Sequence, residues 1–311
     1  MKRIVLAGGS GFLGRALAAQ LQKSGYKVTV VTRSPAGMLS GLREIAWDAC
    51  TLGDWARELE GAAGVINLAG RSVNCRCTPR NRRLIMDSRV RSTQVIGQAI
   101  AQCTNPPPVW LNASTVTIYK HTCEDAWDEG GLTGSTPEAK DEFSVAVATA
   151  WEEALNGAKT PGTRRIAMRT SMVLGLDKNS VFPVLRRLVR LGLGGRMGDG
   201  RQFVSWIHEE DFCRAVEWLI THDRLNGVVN MTAPHPISNA EMMKAFREVS
   251  GRSFGLPAAR WMLEIGAFFL RTETELIIKS RRVVPGRLTS AGFQFCFPHL
   301  RGAFEDLAGR P

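Results

Sequence analysis

Gly8, Gly11 and Gly14 stand three residues apart, with Gly9 and Ser10 among them, and satisfy both G-x-x-G-x-x-G and G-x-G-x-x-G. The apolar run Arg3 to Ala7 precedes them, and a helical pattern opens at Phe12 and Leu13. Glycines in that context permit a tight strand-to-helix turn and close backbone approach, which present the positive end of a helix to a pyrophosphate. The chemistry this predicts is the holding of a dinucleotide. Which one depends on the end of the next strand, where a carboxylate would bond ribose hydroxyls. Thr32-Arg33-Ser34 stands there instead. Arg33 offers a planar fork of donors matched to phosphate and Ser34 adds a hydroxyl, so the expected cofactor is NADP(H).

The elements that must position these residues follow from periodicity. Short β-branched runs at Arg3–Ala7, Lys27–Thr32, Gly64–Leu68, Val109–Ala113 and Arg165–Thr170 alternate with helical patterns, among them a long one opened by Thr78-Pro79. Strands separated by helices imply a parallel sheet covered on both faces. After about Gly175 helices predominate, at Ser180–Leu191, His208–Thr221 and Ser238–Ser250, the last opened by the capping box Ser238-Asn239-Ala240-Glu241. Val228–Met231 returns as a strand, and Leu256–Leu307 reads as two helices around a Pro285-Gly286 break. The expectation is an α/β fold, a Rossmann-type doubly wound parallel sheet with a small, mainly helical C-terminal region that binds substrate. The division falls at 1–175 and 176–311, with the chain crossing back to the core around 204–231.

Composition narrows the class. The 311 residues are 44% apolar and 22% charged, enough for a sizeable core and against global disorder. Seven cysteines, an odd number, lack both zinc-ribbon spacing and a disulfide pattern, so reduced thiols, a cytoplasmic location and no metal are expected. No apolar run approaches the ~20 residues that span a bilayer. A net charge of +11 favours anionic partners. Arginines cluster, seven from Arg71 to Arg91 and five from Arg186 to Arg201, and four basic residues lie between Lys279 and Arg287. The last two clusters suit a small phosphorylated or nucleotide-linked substrate, with Arg196, Arg282 and His208 as candidate contacts. The alternative for those runs is a solvated basic face. No interleaved aromatics or DNA-binding motif supports nucleic acid as partner, and no membrane partner is indicated.

The chain resembles an atypical extended short-chain dehydrogenase/reductase, of the NAD(P)-dependent epimerase-like family with a C-terminal extension, some of whose members carry cell-division-inhibitor labels. The resemblance runs nearly end to end. Besides Gly8 to Gly14 it rests on Val65-Ile66-Asn67-Leu68-Ala69-Gly70, Asp87-Ser88-Arg89-Val90, Leu191-Gly192-Leu193-Gly194-Gly195 and Gly200-Arg201-Gln202. Ser205-Trp206-Ile207-His208, Asn239-Ala240-Glu241 and Arg282-Val283-Val284-Pro285 continue it. It implies that Leu68, Ala69 and Gly70 pass under the cofactor, and that Asp48 reaches the adenine. Arg89 falls where such enzymes place an asparagine. Either Ser114 or Thr115 supplies the hydroxyl beside the nicotinamide.

The family's proton-moving pair is missing. Such enzymes use a tyrosine whose pKa is depressed by a lysine four residues on, and neither Tyr26 nor Tyr119 has one. The pair falls on Ser144 and Ala148, which cannot do that work. Tyr119, next to Lys120 and His121, is the candidate replacement, with a phenol lowered by the neighbouring ammonium. The alternative packs Tyr119 as a structural aromatic. Asp211 is expected to serve a helix N-terminus. Two functions follow: an NADP(H)-dependent oxidoreductase or epimerase with a non-standard site, or a catalytically silent NADP(H)-binding sensor. Helical surfaces leave a homodimer open.

Overall fold

A computed structural model describes residues 1–35, 37, 42–259, 261–262 and 279–310. In chain order these form β1 (Arg3–Ala7), α1 (Phe12–Lys23), β2 (Lys27–Thr32), β3 (Arg43–Ala46), β4 (Gly64–Asn67) and α2 (Pro79–Ala101). Then come β5 (Val109–Thr115), α3 (Glu142–Asn156), β6 (Arg164–Thr170), β7 (Met172–Leu174) and α4 (Val181–Arg190). β8 (Phe203–Val204), β9 (Trp206–His208), α5 (Glu209–Thr221), β10 (Gly227–Met231), β11 (Ile237–Ser238) and α6 (Asn239–Val249) follow. Helices Gly286–Ser290 and Leu300–Gly309 close the chain.

Seven strands make one parallel sheet in the order β10-β6-β5-β4-β1-β2-β3. The order reverses direction between β1 and β4, which opens a crevice at their carboxyl ends. Each face buries its own core. On one, Leu17 and Leu21 of α1 and Phe212 and Val216 of α5 pack over Ile4, Leu6 and Ile166. On the other, Val95 and Ile96 of α2 and Leu155 of α3 pack over Val5, Val65 and Trp110. Each such fully buried aliphatic stabilises the fold by roughly 1.5–3 kcal/mol. A third cluster joins α4, α6 and the last helix through Phe182, Phe246 and Phe304. Phe246 is the centre of that trio, 5.0 Å from Phe182 and 4.4 Å from Phe304 between ring centroids.

Local chemistry explains the boundaries. Thr78 accepts the amide of Asn81 at 3.3 Å and Pro79 fills the first position of α2, where no amide is needed. Ser238 and Glu241 form the capping box of α6. β10 returns to pair with β6, as the β-branched run Val228–Met231 predicts. β3 escapes sequence reading because its four residues, Arg-Glu-Ile-Ala, sit half-exposed at the sheet edge with no strong alternation. Within the expected C-terminal stretch Leu256–Leu307, Pro285-Gly286 opens a short helix, Gly286–Ser290, and the helix Leu300–Gly309 follows it. Of the part of that stretch before the break, residues 260 and 263–278 lie outside the described residues. Among the described residues no helix is long and apolar enough to cross a membrane.

Candidate functional site

The crevice is shaped by glycine. Gly8 has a φ of 77°, and a Cβ there would stand 2.7 Å from the amide nitrogen of Ala69, so the end of β1 and the segment after β4 meet backbone to backbone. A Cβ on Gly14 would stand 2.4 Å from the Cα of Gly9, so α1 can start this close to the loop only without a side chain. Gly11, the N-cap of α1, faces open space and its helix start has no side-chain cap. A cradle of backbone amides at an uncapped helix start fits a pyrophosphate. Arg15 donates to the carbonyl of Ser10 and pairs with Asp177, tying this loop to the segment before α4. Phe12 and Leu13 begin α1, and Thr32 lies 3.5 Å from the Ser10 hydroxyl. Arg33 and Ser34 are exposed just past β2.

The floor beyond β4 is held by buried amides. Asn67 Nδ2 donates to Asn112 Oδ1 at 2.7 Å, while Asn67 Oδ1 accepts the amide of Ala69 at 3.0 Å. That fixes Leu68 and Ala69 against Gly8. The Arg89 guanidinium lies against Gly70, where an added Cβ would be 3.3 Å from its central carbon, and over the Trp151 ring at 5.1 Å. Burial there pulls its pKa down to about 10. Asp48 is exposed, and its carboxylate accepts the Cys50 and Thr51 amides and the Thr51 hydroxyl at 2.6–2.8 Å. The Thr51 hydroxyl above all holds its pKa below the usual carboxylate range.

At the end of β5 the two candidate hydroxyls part. Ser114 is buried and donates to Glu152 Oε1 at 2.6 Å. Glu152 in turn takes a two-pronged ion pair from Arg169 at 2.7 and 2.8 Å. Thr115 is half-buried at the strand terminus, with its hydroxyl 3.1 Å from that of Thr117. The expectation for Tyr119 is corrected. Its ring is 1% exposed, its hydroxyl donates to Asn230 at 2.8 Å, and Arg169 stacks on its face. Burial raises the phenol pKa, with Arg169 opposing, whereas Lys120 is exposed and exerts no lowering among the causes of the shift.

One substrate candidate is also corrected. His208 is wholly buried; its Nδ1 caps α5 by accepting the Glu210 amide at 3.1 Å, and its ring stacks on Phe297. Burial lowers its pKa to about 4, so it is a neutral structural cap. Arg282 lies over the Phe203 ring at 4.4 Å and donates to the Glu124 carbonyl. Arg196 is exposed on the loop after α4. Asp211 stands in the first turn of α5, as expected, and also accepts the amides of Cys296 and Phe297, anchoring the loop before the last helix.

Sequence reading missed three residues that meet beside Thr115. Arg281 Nε donates to Thr117 Oγ1 at 3.2 Å, and Lys279 Nζ donates to the Thr117 carbonyl at 2.6 Å. Lys279 also pairs with Asp141, the N-cap of α3, and both are buried. Only the basic run 279–287 hinted at Lys279 and Arg281, without saying which of its members turns inward.

The model of the NAD dependent epimerase/dehydratase family matches residues 4–232, and a domain of unknown function (DUF1731) matches 258–307. The human epimerase family protein SDR39U1 is 30% identical over 98% of this chain and 99% of its own length. An epimerase family protein of Staphylococcus epidermidis is 30% identical over 99% of each. The crystal structure of human SDR39U1 (isoform 2) with NADPH superposes with a TM-score of 0.86 at 28% identity, covering 99% of this chain and 100% of that one. The nucleoside-diphosphate sugar epimerase of Corynebacterium glutamicum gives 0.78 at 26% identity, over 99% of this chain and 58% of that one. A glycine crevice at the switch point of a seven-stranded parallel sheet and a family match across most of the chain agree: the chain belongs to the NAD dependent epimerase/dehydratase family.

Proposed function

We propose that this chain is an NADP(H)-dependent oxidoreductase or epimerase that acts on a small anionic molecule of the sugar-nucleotide kind, without a tyrosine-lysine pair. The glycine crevice carries the reading, because its backbone contacts leave a helix start open to a pyrophosphate. The loop from Gly8 to Gly14 would hold that pyrophosphate at the start of α1, and Arg33 and Ser34 the phosphate that distinguishes NADP(H). Leu68, Ala69 and Gly70 form the floor. The cofactor, when bound, supplies or accepts a hydride. Thr115 orients the substrate oxygen, since the Ser114 hydroxyl is engaged by Glu152. Tyr119 has no part in proton transfer on this reading, because its phenol is buried on Asn230. The NADPH in the human relative's structure supports the choice of cofactor.

Arg33→Asp places a carboxylate where a phosphate would sit, and should move the NADPH-to-NADH affinity ratio towards NADH by about tenfold or more. Fluorescence titration of both nucleotides reads it, and an unchanged ratio removes Arg33 from the site. The absence of an acid at Ser144 and Ala148 favours a second reading, a silent NADP(H) sensor. Deuterium-labelled NADPH incubated with fractionated metabolites separates the two: label in a metabolite establishes an enzyme, and tight binding without transfer establishes the sensor.

A further inference from the structure

In the sheet order β3-β2-β1-β4-β5, Arg33 follows β2, the glycine loop follows β1, and Leu68 to Gly70 follow β4. A dinucleotide held as read above has its distinguishing phosphate at Arg33 and its pyrophosphate at the glycine loop. Its nicotinamide end therefore extends past β4. The side chain that meets the backbone there is Arg89 of α2. The two are in close contact, since a Cβ on Gly70 would stand 3.3 Å from the guanidinium carbon and 3.5 Å from Nη2. Ser88, one residue earlier on α2, accepts the Arg71 amide at 2.9 Å and ties the chain beyond Gly70 to this helix. The guanidinium is fixed from the other side as well. Its Nη1 donates to the Ile85 carbonyl at 3.0 Å, one turn back on its own helix, and it lies 5.1 Å from the centre of the Trp151 ring. Trp151 is held in turn by its indole nitrogen, which donates to Thr93 at 3.1 Å.

Arg89 is fixed but not neutralised. The nearest carboxylates in sequence, Asp87 on its own helix and Glu152 beside Trp151, pair with Arg91 and Arg169. Among the described residues no carboxylate pairs with Arg89, and burial alone accounts for its lowered pKa. At about 10 that pKa still leaves the group charged at neutral pH. A half-buried cation without a counter-charge costs the fold stability, and such charges gather where a ligand is met. We propose that Arg89 makes the crevice select the reduced cofactor, NADPH over NADP⁺, by setting an uncompensated positive charge beneath the nicotinamide end. The nicotinamide ring is a cation in NADP⁺ and neutral in NADPH, whereas the phosphates and riboses are the same in both. Attraction between the guanidinium and the phosphates therefore cancels between the two forms, and its repulsion of the oxidised ring does not. The inference rests on the crevice reading above and deepens both of its versions. An enzyme of this kind rests loaded with the hydride donor, and a sensor of this kind reports NADPH rather than the whole pool.

Paired titrations of the full chain test this without turnover, with NADPH read by its fluorescence and NADP⁺ by calorimetry. Wild type should bind NADPH about tenfold or more tightly than NADP⁺. Arg89→Met and Arg89→Gln remove the charge and should lower that ratio by about tenfold, while Arg89→Lys should keep most of it. Arg91→Gln, two residues on in the same helix and paired with Asp87, should leave the ratio unchanged. Thermal melts show which variants are folded, and either charge-free variant serves. NADH and NAD⁺ carry the same ring charges and give the same comparison if Arg33 does not select the phosphate. An equal ratio in wild type and a folded charge-free variant overturns the proposal and leaves the crevice reading standing. Wild type that binds the oxidised form as tightly as the reduced one does the same. Binding of no dinucleotide by wild type overturns both.

Discussion

The glycine crevice and the corner at the end of β5 lie at the same edge of one sheet, yet they are built on different terms. The crevice is made of backbone. Gly8 against Ala69 and Gly14 against Gly9 are contacts between main chains close in sequence or joined by adjacent strands. The corner is made of side chains, and its charged groups come from residue 141 and from residues 279 and 281. A site built from backbone tolerates no added atom. A site built from distant charges tolerates exchange of its members, provided that a charge arrives from somewhere.

The largest effect should come from leaving one buried charge alone. Lys279→Met strands Asp141 without its partner and should cost about 3–5 kcal/mol of stability, read as the shift of a urea unfolding midpoint. Replacing both partners by apolar residues should recover much of that loss; a double variant as unstable as the single would show that the pair is more than a pin. Next in size, Gly8→Ala adds a methyl against the Ala69 amide at a positive φ, and should weaken NADPH binding by about 100-fold, near 2.7 kcal/mol. Nucleotide fluorescence reads this, and a variant that binds normally would mean that the two main chains can part. The smallest effect belongs to Tyr119→Phe, which removes one buried hydrogen bond worth about 1 kcal/mol and should leave NADPH affinity untouched. A fall in hydride transfer without loss of stability in that variant would return the phenol to the chemistry.

The sequence made the crevice legible because its demand is steric and local. Only glycine meets it, and the spacing between Gly8 and Gly14 records the geometry directly. Most of the sheet was legible for a similar reason, since each β-branched run announces itself. The corner was less so. In the extended segment 279–283 successive residues face opposite ways, so Arg282 turns onto Phe203 while Arg281 reaches Thr117. The basic run marks the segment but not its parity. Ser114 and Thr115 differ in the same way on β5, one turned to Glu152 and the other to the Thr117 side. Tyr119 misled because Lys120, its neighbour in sequence, is exposed while the phenol is buried. His208 misled because burial, which no single residue reveals, sets its charge.

The bond from Lys279 to the Thr117 carbonyl joins residues 162 positions apart. A chain leaving the ribosome can pair β1 with β2 and β4 and close the glycine crevice long before that lysine has been made. Its dinucleotide cradle therefore takes shape early in synthesis, and its charged corner only near the end. A nascent or C-terminally clipped chain would be left with the first and without the second.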